Sequence, residues 1–551
     1  MNINLLCENP DADLFTRLLQ IRNISENLED FLEPSYTNYR QDPFLLNDMD
    51  KAVDRIHTAI TNNEKIMIFG DYDVDGITSS YIVYTFFTQF LWYKHISVRL
   101  PHRTKDGYGI KSHHIDDIHE QWCTLIITVD NGITSVDEVA YATTLGIDTV
   151  ITDHHQALDR VPEPIACVNP QISTNMKFKE ICWASVAFKL CLAVAKNEHI
   201  ERSLIKRLYD RMLPFVSIAT IADCMPLIDE NRLLVSKWFR LINNKRHTIA
   251  PSLKQFLEYL NIKDIDSHHV WFMIWPRLNA TWRIDDAMEW LMSLLISHPE
   301  KQRKQLEKIE ELNNERRKMQ QQMTAVANTL INPDNVLLVA TSEDFHEWVV
   351  WIVAGRITDK HNKPSLILRV DTYKKTATWS LRWPDRFNIV DMLKSADDLL
   401  LRYGGHACAW WMTVDLDVLD EALARFDKYC STYTPISQDE KPLHVDTLLH
   451  SHELDTSIMN QLLKFWPFGQ GNPEPVFQIN DVVVTHTETV GRGERTHLKL
   501  HCKKDERTFH IMQRWQGELA GQITTNIPHT IIGKIRPDTF NGGFYVDGKL
   551  V

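Results

Sequence analysis

Three short clusters carry acids and imidazoles at spacings that suit metal-ion chemistry. Asp71, Asp73 and Asp75 alternate in GDYDVDG, Asp130 heads DNG, and Asp153, His154 and His155 close TVITDHH. A fourth acid, Asp223, follows the apolar run SIATIA. Carboxylates that share one pocket raise each other's pKa, and divalent cations remove that cost. Carboxylates with imidazole suit Mn2+ and also Mg2+. Two such cations bridged by one carboxylate can hydrolyse a phosphodiester, one generating hydroxide and both stabilising charge on the phosphoryl oxygens. A lone D-x-D is usually a turn or a helix cap, and a lone His-His pair is usually a surface feature. Four clusters, each at the end of an apolar run, point instead to one shared site.

The elements that must position these groups read as strands and helices in alternation. KIMIFG, HISVRLP, CTLIITV and DTVIT are strand-like, and ITSSYIVYTFFTQFL is a buried helix. That alternation predicts a doubly wound parallel sheet, where ligands bind at the carboxyl ends of the strands. Residues 1–50 read as an N-terminal extension and 51–298 as the catalytic α/β domain. Residues 299–330, rich in charge and free of Gly, read as a solvated connector helix. Residues 331–432 read as a smaller α/β domain. YTPISQDEKP reads as a linker, and the short strands that follow make 433–551 a small β-barrel.

Composition narrows the classes. Net charge is −13, which argues against a polycation that coats nucleic acid and fits a carboxylate-rich site. Nine cysteines without a C-x-x-C fit a reducing compartment rather than a disulfide framework. No run of 18 apolar residues and no basic, apolar leader is present. A cytoplasmic enzyme without membrane contact is the expectation.

GDYDVDGITSS, TVDNG, TDHH and IATIADCMPL resemble the four motifs of the DHH phosphoesterase superfamily. Within it, the chain resembles the single-strand-specific 5′→3′ DNA exonucleases. PRLNATWRIDDA resembles their PR-x-NA-x-GR signature, IVAGR and YGGHACA resemble the associated DHHA1 domain, and PFGQGNPEPVF resembles the entry into their OB-fold. The resemblance implies that Asp71, Asp73, Asp75, Asp130, His154 and Asp223 hold two divalent cations, Mn2+ or Mg2+, with Asp130 as the bridge. It implies that Asp153 orients an imidazole and that His155 contacts the scissile phosphate. Arg277, Asn279, Arg283, Arg356 and the Gly404-Gly405-His406 loop would bind backbone phosphates. Tyr108 would stack on a base or fill core. Arg492, Arg495, Lys499, Lys503 and Lys504 would line the barrel's nucleic-acid face. The implied substrate is single-stranded DNA, degraded to mononucleotides by a monomer, with a helicase or single-strand-binding protein as partner. A small-substrate phosphodiesterase or pyrophosphatase is the alternative enzyme, and a metal-free DNA-binding scaffold the alternative from another class.

One compositional feature runs against this pattern. Glycine is 19 of 551 residues, about half its usual share of ~7%, while tryptophan reaches 16. Trp183, Trp275, Trp282, Trp351 and Trp411 stand where the resemblance leads to glycine, and Trp122 stands where a small residue looks natural. Two explanations are open: a UGA codon rendered as tryptophan in a gene whose own translation reads it as glycine, or real divergence with compensating changes.

Overall fold

The computed structural model of the chain describes all residues except 1–2, 8, 10, 25–27, 158–159, 384–388, 407–408, 433–442, 493–494, 515 and 539–541. The linker expected at YTPISQDEKP (433–442) lies outside the described residues. The chain forms two compact units. One comprises 1–275, 291–303 and 442–551, and the other 276–290 and 304–441.

The first unit opens with β1 (Ile3–Cys7), which belongs to the C-terminal sheet. A parallel sheet follows, built from β2 (Lys65–Phe69), β3 (Ile96–Arg99), β4 (Cys123–Val129), β5 (Asp148–Thr152) and β6 (Ala166–Val168) in the order β3-β2-β4-β5-β6. Ile66, Ile68, Leu125, Ile127 and Val150 are all fully buried, as expected of strands covered on both faces. The strand order reverses between β2 and β4, which makes their carboxyl ends the topological switch point.

Four helices frame that edge: α1 (Val74–Thr85), α2 (Ser112–Glu120), α3 (Trp183–Asn197) and α4 (Arg202–Ala222). Two more, α5 (Trp275–Ile284) and α6 (Pro299–Leu330), lead into the second unit. The 32-residue α6 is not simply solvated. Leu306, Ile309, Asn313, Arg316, Gln320, Met323 and Ala327 are buried along it, a 3-4 spacing that keeps one face covered. Arg316 donates to Asn313 Oδ1 (3.1 Å) and Gln320 Oε1 (3.2 Å), so the polar middle of that stripe is tied together through its guanidinium.

In the second unit, β7 (Leu338–Ser342), β8 (Ser365–Asp371), β9 (Thr376–Arg382), β10 (Leu400–His406) and β11 (Ala409–Asp415) form a mixed sheet in the order β10-β11-β9-β8-β7. The helix α7 (Val350–His361) packs on β8 and β9.

The C-terminal sheet belongs to the first unit. It contains β12 (Leu443–Leu448), β13 (Phe477–Arg492), β14 (Arg495–Lys504), β15 (Arg507–Gln513), β16 (Pro528–Pro537) and β17 (Phe544–Leu550). Strands β13-β14-β15-β17-β16 close into a five-stranded barrel because β16 pairs back onto β13, the arrangement of an OB-fold. The N-terminal residues are part of this assembly. Strand β1 pairs in parallel with β12, and Leu14 and Leu18 sit in the barrel's core cluster with Phe465 and Phe477. Arg17, 1% exposed, donates to Thr447 Oγ1 and Leu448 O and pairs with Glu453.

Candidate metal centre

The site grows from the ends of β2, β4 and β5. After β2 the chain turns through Asp71 and enters α1 at Asp73, whose Oδ1 accepts the Gly76 N–H at 2.9 Å. Gly76 must be glycine, because a Cβ there would lie 2.7 Å from Asp71 Cβ and 2.8 Å from Asp71 O. After β4, Asp130 adopts a left-handed φ of +67°, a conformation that aspartate tolerates. Gly132 follows at φ +113°, and a Cβ on it would meet Thr128 Oγ1 at 2.8 Å. After β5, Asp153 accepts the Ile133 N–H on Oδ2 (2.9 Å) and the His155 N–H on Oδ1 (2.8 Å). This one buried carboxylate therefore ties the Asp130 loop to the histidine pair.

These turns bring ligand atoms of Asp71, Asp73 and Asp130 within 4.8 Å of one another, and those of Asp130, His154 and His155 likewise. Asp130 belongs to both groups. Asp223, at the end of α4, places Oδ2 3.6 Å from His154 Nε2. His154 has Nδ1 2.9 Å from Ile181 O, so Nδ1–H donates there and the Nε2 lone pair faces the acids. Tyr108 donates to Asp130 O at 3.1 Å, and its ring meets His155 edge-on at 5.8 Å. It is therefore tied to both groups, a role distinct from core filling.

Asp75 is placed differently. Its Oδ2 accepts from the Trp183 N–H (2.7 Å) and its Oδ1 from the Ala184 N–H (2.8 Å), so both oxygens are engaged by the N-terminus of α3. Asp75 caps that helix from 108 residues away. Sequence reasoning missed this tie because the local Cys182 offers no capping signal. The structure brings Asp71, rather than Asp75, into the group with Asp73 and Asp130.

The electrostatics are those of an anionic cavity in which burial and mutual repulsion outweigh the nearby Arg103 and His155. Burial, then the neighbouring Asp73, pushes Asp71 well above the usual carboxylate range. Burial and the surrounding acids do the same to Asp130, and burial with Asp75 and Asp73 to Asp223. Burial, then Asp73, raises Asp75 to about 8. Burial lowers His154 to about 4, so it is a neutral ligand at pH 7. For His155 burial works in the same direction, but the hydrogen bond to Asp153 and the charges of Asp71 and Asp73 outweigh it and raise its pKa. Asp71 Oδ1 is buried without a hydrogen-bond partner. Orphaned, mutually repelling carboxylate oxygens beside a neutral imidazole Nε2 are the donor set that Mn2+ or Mg2+ fits.

The DHH family N-terminal domain matches residues 65–213, and the RecJ OB domain matches residues 445–548. Residues 65–213 form a DHH domain. It is 31% identical over 508 residues to the single-stranded-DNA-specific exonuclease RecJ of Bacillus subtilis, covering 91% of this chain and 62% of that protein's length. The RecJ of Escherichia coli is 29% identical over 451 residues, covering 78% of each chain. Among solved structures, Thermus thermophilus RecJ in complex with Mn2+ superposes with a TM-score of 0.79 at 23% identity, over 98% of this chain and 75% of that one. A second structure, exonuclease RecJ bound to manganese, is 27% identical with a TM-score of 0.61, over 71% of this chain and 96% of that one. The DHH domain and the OB barrel are thus present in this chain as expected.

The remaining expected residues fall in the second unit and on the barrel. Arg277 makes a two-pronged bond to Glu310 (2.5 and 3.1 Å). Asn279 accepts from Trp282 Nε1 at 3.0 Å. Arg283 is 7% exposed, sits over the Trp282 and Trp351 rings (3.9 and 4.3 Å), and donates to Trp348 O. Arg356 is exposed on α7. Gly404, Gly405 and His406 do not form an open loop. They lie on β10, in register with Trp411, Trp410 and Ala409 of β11, because the ladder continues to the hairpin. On the barrel, Lys499 lies 3.5 Å from Glu488 and Lys504 bonds Asn480 O. The side chains of Arg492 and Arg495 lie outside the described residues.

Proposed function

We propose that this protein is a metal-dependent 5′→3′ exonuclease specific for single-stranded DNA. The observation that carries the reading is Asp130, buried at 3% exposure and common to both ligand groups. Asp71, Asp73, Asp130, His154 and Asp223 would hold two divalent cations, Mn2+ or Mg2+, with Asp130 between them. Bound there, the cations supply charge neutralisation for the phosphoryl oxygens and a more acidic water. The chain's own groups do the rest. Asp153 fixes His155 through its N–H and Nδ1, and His155, held towards its cationic form, faces the phosphate. Tyr108 restrains the Asp130 turn against His155. Asp75 acts through α3 as a positioning residue.

Similarity to RecJ exonucleases and the closed barrel support DNA as the substrate, and single strands suit a barrel that stacks bases and tracks a backbone. Arg277, Asn279, Arg283, Arg356 and the Gly404–His406 end of β10 are the proposed phosphate contacts of the second unit. A cytoplasmic monomer supplied with single strands by a helicase or single-strand-binding protein completes the reading. Among the described residues no helix is long and apolar enough to cross a membrane.

The test is digestion of 5′- and 3′-labelled single strands with Mn2+ or Mg2+. The 5′ label should appear first as a mononucleotide, duplex should resist, and Asp130→Asn should be inactive. Release of the 3′ label first, or hydrolysis of a dinucleotide but not of a long strand, would overturn it.

A further inference from the structure

Two tryptophans stand at left-handed backbone positions that suit glycine, and a third is buried against the site's two histidines with its indole N–H unpartnered. Trp122 follows the C-cap of α2 at φ +62°, its N–H bonded to His119 O at 2.8 Å. Trp92 follows a helical turn, Phe86–Phe90, at φ +54°, and the next N–H, of Tyr93, bonds Phe87 O at 2.8 Å. Both are the left-handed residue that ends a helix.

The chain shows what it normally places there. Gly146 at φ +73° bonds Thr143 O, and the next residue bonds Ala142 O. Asn23, Asn63 and Asn261 end other helices with the same pair of bonds, as do His199 and Cys224, whose side chains are smaller than an indole. Of the fifteen described non-glycine residues at positive φ, ten are Asn or Asp, which tolerate it, and two are tryptophan. A bulky residue there is an outlier, because its Cβ presses on the following carbonyl. Burial could offset such strain, but the Trp122 side chain is 81% exposed and that of Trp92 is 66% exposed. Neither indole gains what would justify the backbone.

Trp183 is the opposite case. Its backbone N–H is needed, since it donates to Asp75. Its indole is 1% exposed with Nε1 lacking a hydrogen-bond partner. The ring centroid lies 4.3 Å from that of His154 and 5.4 Å from that of His155, so the indole packs against both imidazoles.

We propose that the natural polypeptide carries glycine at positions 92, 122 and 183, the codon there being a UGA that its own translation reads as glycine. Glycine adopts the left-handed conformation without a Cβ clash. At 183 it keeps the N–H that Asp75 requires and clears the space over His154 and His155. The part concerning position 183 rests on the proposed nuclease site; the other two positions do not.

Three readings test it. The gene should show UGA at codons 92, 122 and 183. Peptides from protein isolated from its natural source should have glycine masses there, and the intact mass should fall below 64.2 kDa. Tryptophan masses in those peptides would overturn the proposal whatever the activity. In full-length recombinant protein, the double variant Trp92→Gly/Trp122→Gly should melt at higher temperature than the tryptophan form, and an unchanged or lower melting point would count against it. Adding Trp183→Gly should raise Mn2+-dependent cleavage of a labelled single strand at least tenfold. If the masses are glycine but cleavage does not rise, the site reading fails while the assignment of glycine at 92 and 122 stands.

Discussion

The metal-site edge of the DHH domain and the second unit treat charge in opposite ways. In the DHH domain, buried Asp71 and Asp130 and half-buried Asp223 face other acids, and Asp71 Oδ1 has no hydrogen-bond partner. In the second unit, half-buried Arg277 is matched by Glu310, and buried Arg316 gives hydrogen bonds to the amides of Asn313 and Gln320. A charge buried with its partners holds the fold together. A charge buried without them costs stability, and a fold keeps it only where something from outside completes it. That contrast supports the acids as the proposed functional centre. Arg277, expected from sequence to meet phosphate, has a structural partner already.

Charge removal separates the two behaviours most sharply at Asp130. Asp130→Asn keeps a residue that tolerates φ +67° and removes only charge. Nuclease activity should fall on the order of 10³-fold, the scale of losing a principal electrostatic group. In metal-free buffer the same variant should melt a few degrees higher, about 2–4 °C for each kcal/mol of repulsion relieved. A lower metal-free melting point would make Asp130 a structural acid and break the contrast.

A buried cation with partners should behave in the reverse sense. Arg232 is 2% exposed and donates to the carbonyls of Phe31, Phe465 and Trp466. Burial lowers its pKa to about 9. Arg232→Met should cost about 3 kcal/mol in denaturant unfolding, because those carbonyls lose their donor. Mn2+ binding measured by calorimetry should survive in the folded fraction.

At Glu310 the effect should be smaller. Glu310→Gln should cost about 1 kcal/mol, the upper range for a partly exposed pair, with single-strand affinity unchanged. A gain in affinity on freeing Arg277 would show that the pair competes with substrate and would bring the two units' charges into one function.

The smallest effect belongs to the exposed pair Asp266–His269, 2.6 Å apart. The hydrogen bond to Asp266 raises His269. Burial opposes ionisation of Asp266, but the His269 bonds outweigh it and lower its pKa. The raised histidine contributes stability below its unfolded pKa of about 6.5, lost as pH rises through the folded value. The lowered carboxyl contributes above about 3.8, lost as pH falls. The melting point of His269→Ala should therefore trail the parent most between about pH 4 and 6.5 and converge with it at alkaline pH. An equal gap at pH 9 would show that the pair acts by packing.

Much of this was legible in the residues. Apolar runs ending in Asp or His gave the parallel sheet and its ligand edge, since strands covered on both faces need continuous apolar residues and the chemistry then falls to their ends. The barrel was legible in its short strands. Three things were not. The N-terminal residues complete the barrel sheet through β1, a pairing across about 440 residues that no local pattern encodes. Residues 404–406 read as a loop because of Gly-Gly, while the β9–β11 ladder holds them in a strand. The α6 stripe was masked by its buried Asn313, Arg316 and Gln320, polar residues that look solvated until they are seen bonded to one another.

The sequence by itself determined which groups could do chemistry, their order along the chain, and a shortage of glycine matched by an excess of tryptophan. Only the tertiary structure decided how the acids divide, Asp71 joining Asp73 and Asp130 while Asp75 is taken by the N–H groups of α3. It alone separated tryptophans with hydrogen-bond partners, such as Trp282, from those at positive φ. The reason is the same in both cases. Residue type fixes what a group can bind, but backbone angles and the partners brought from distant segments fix what it does bind.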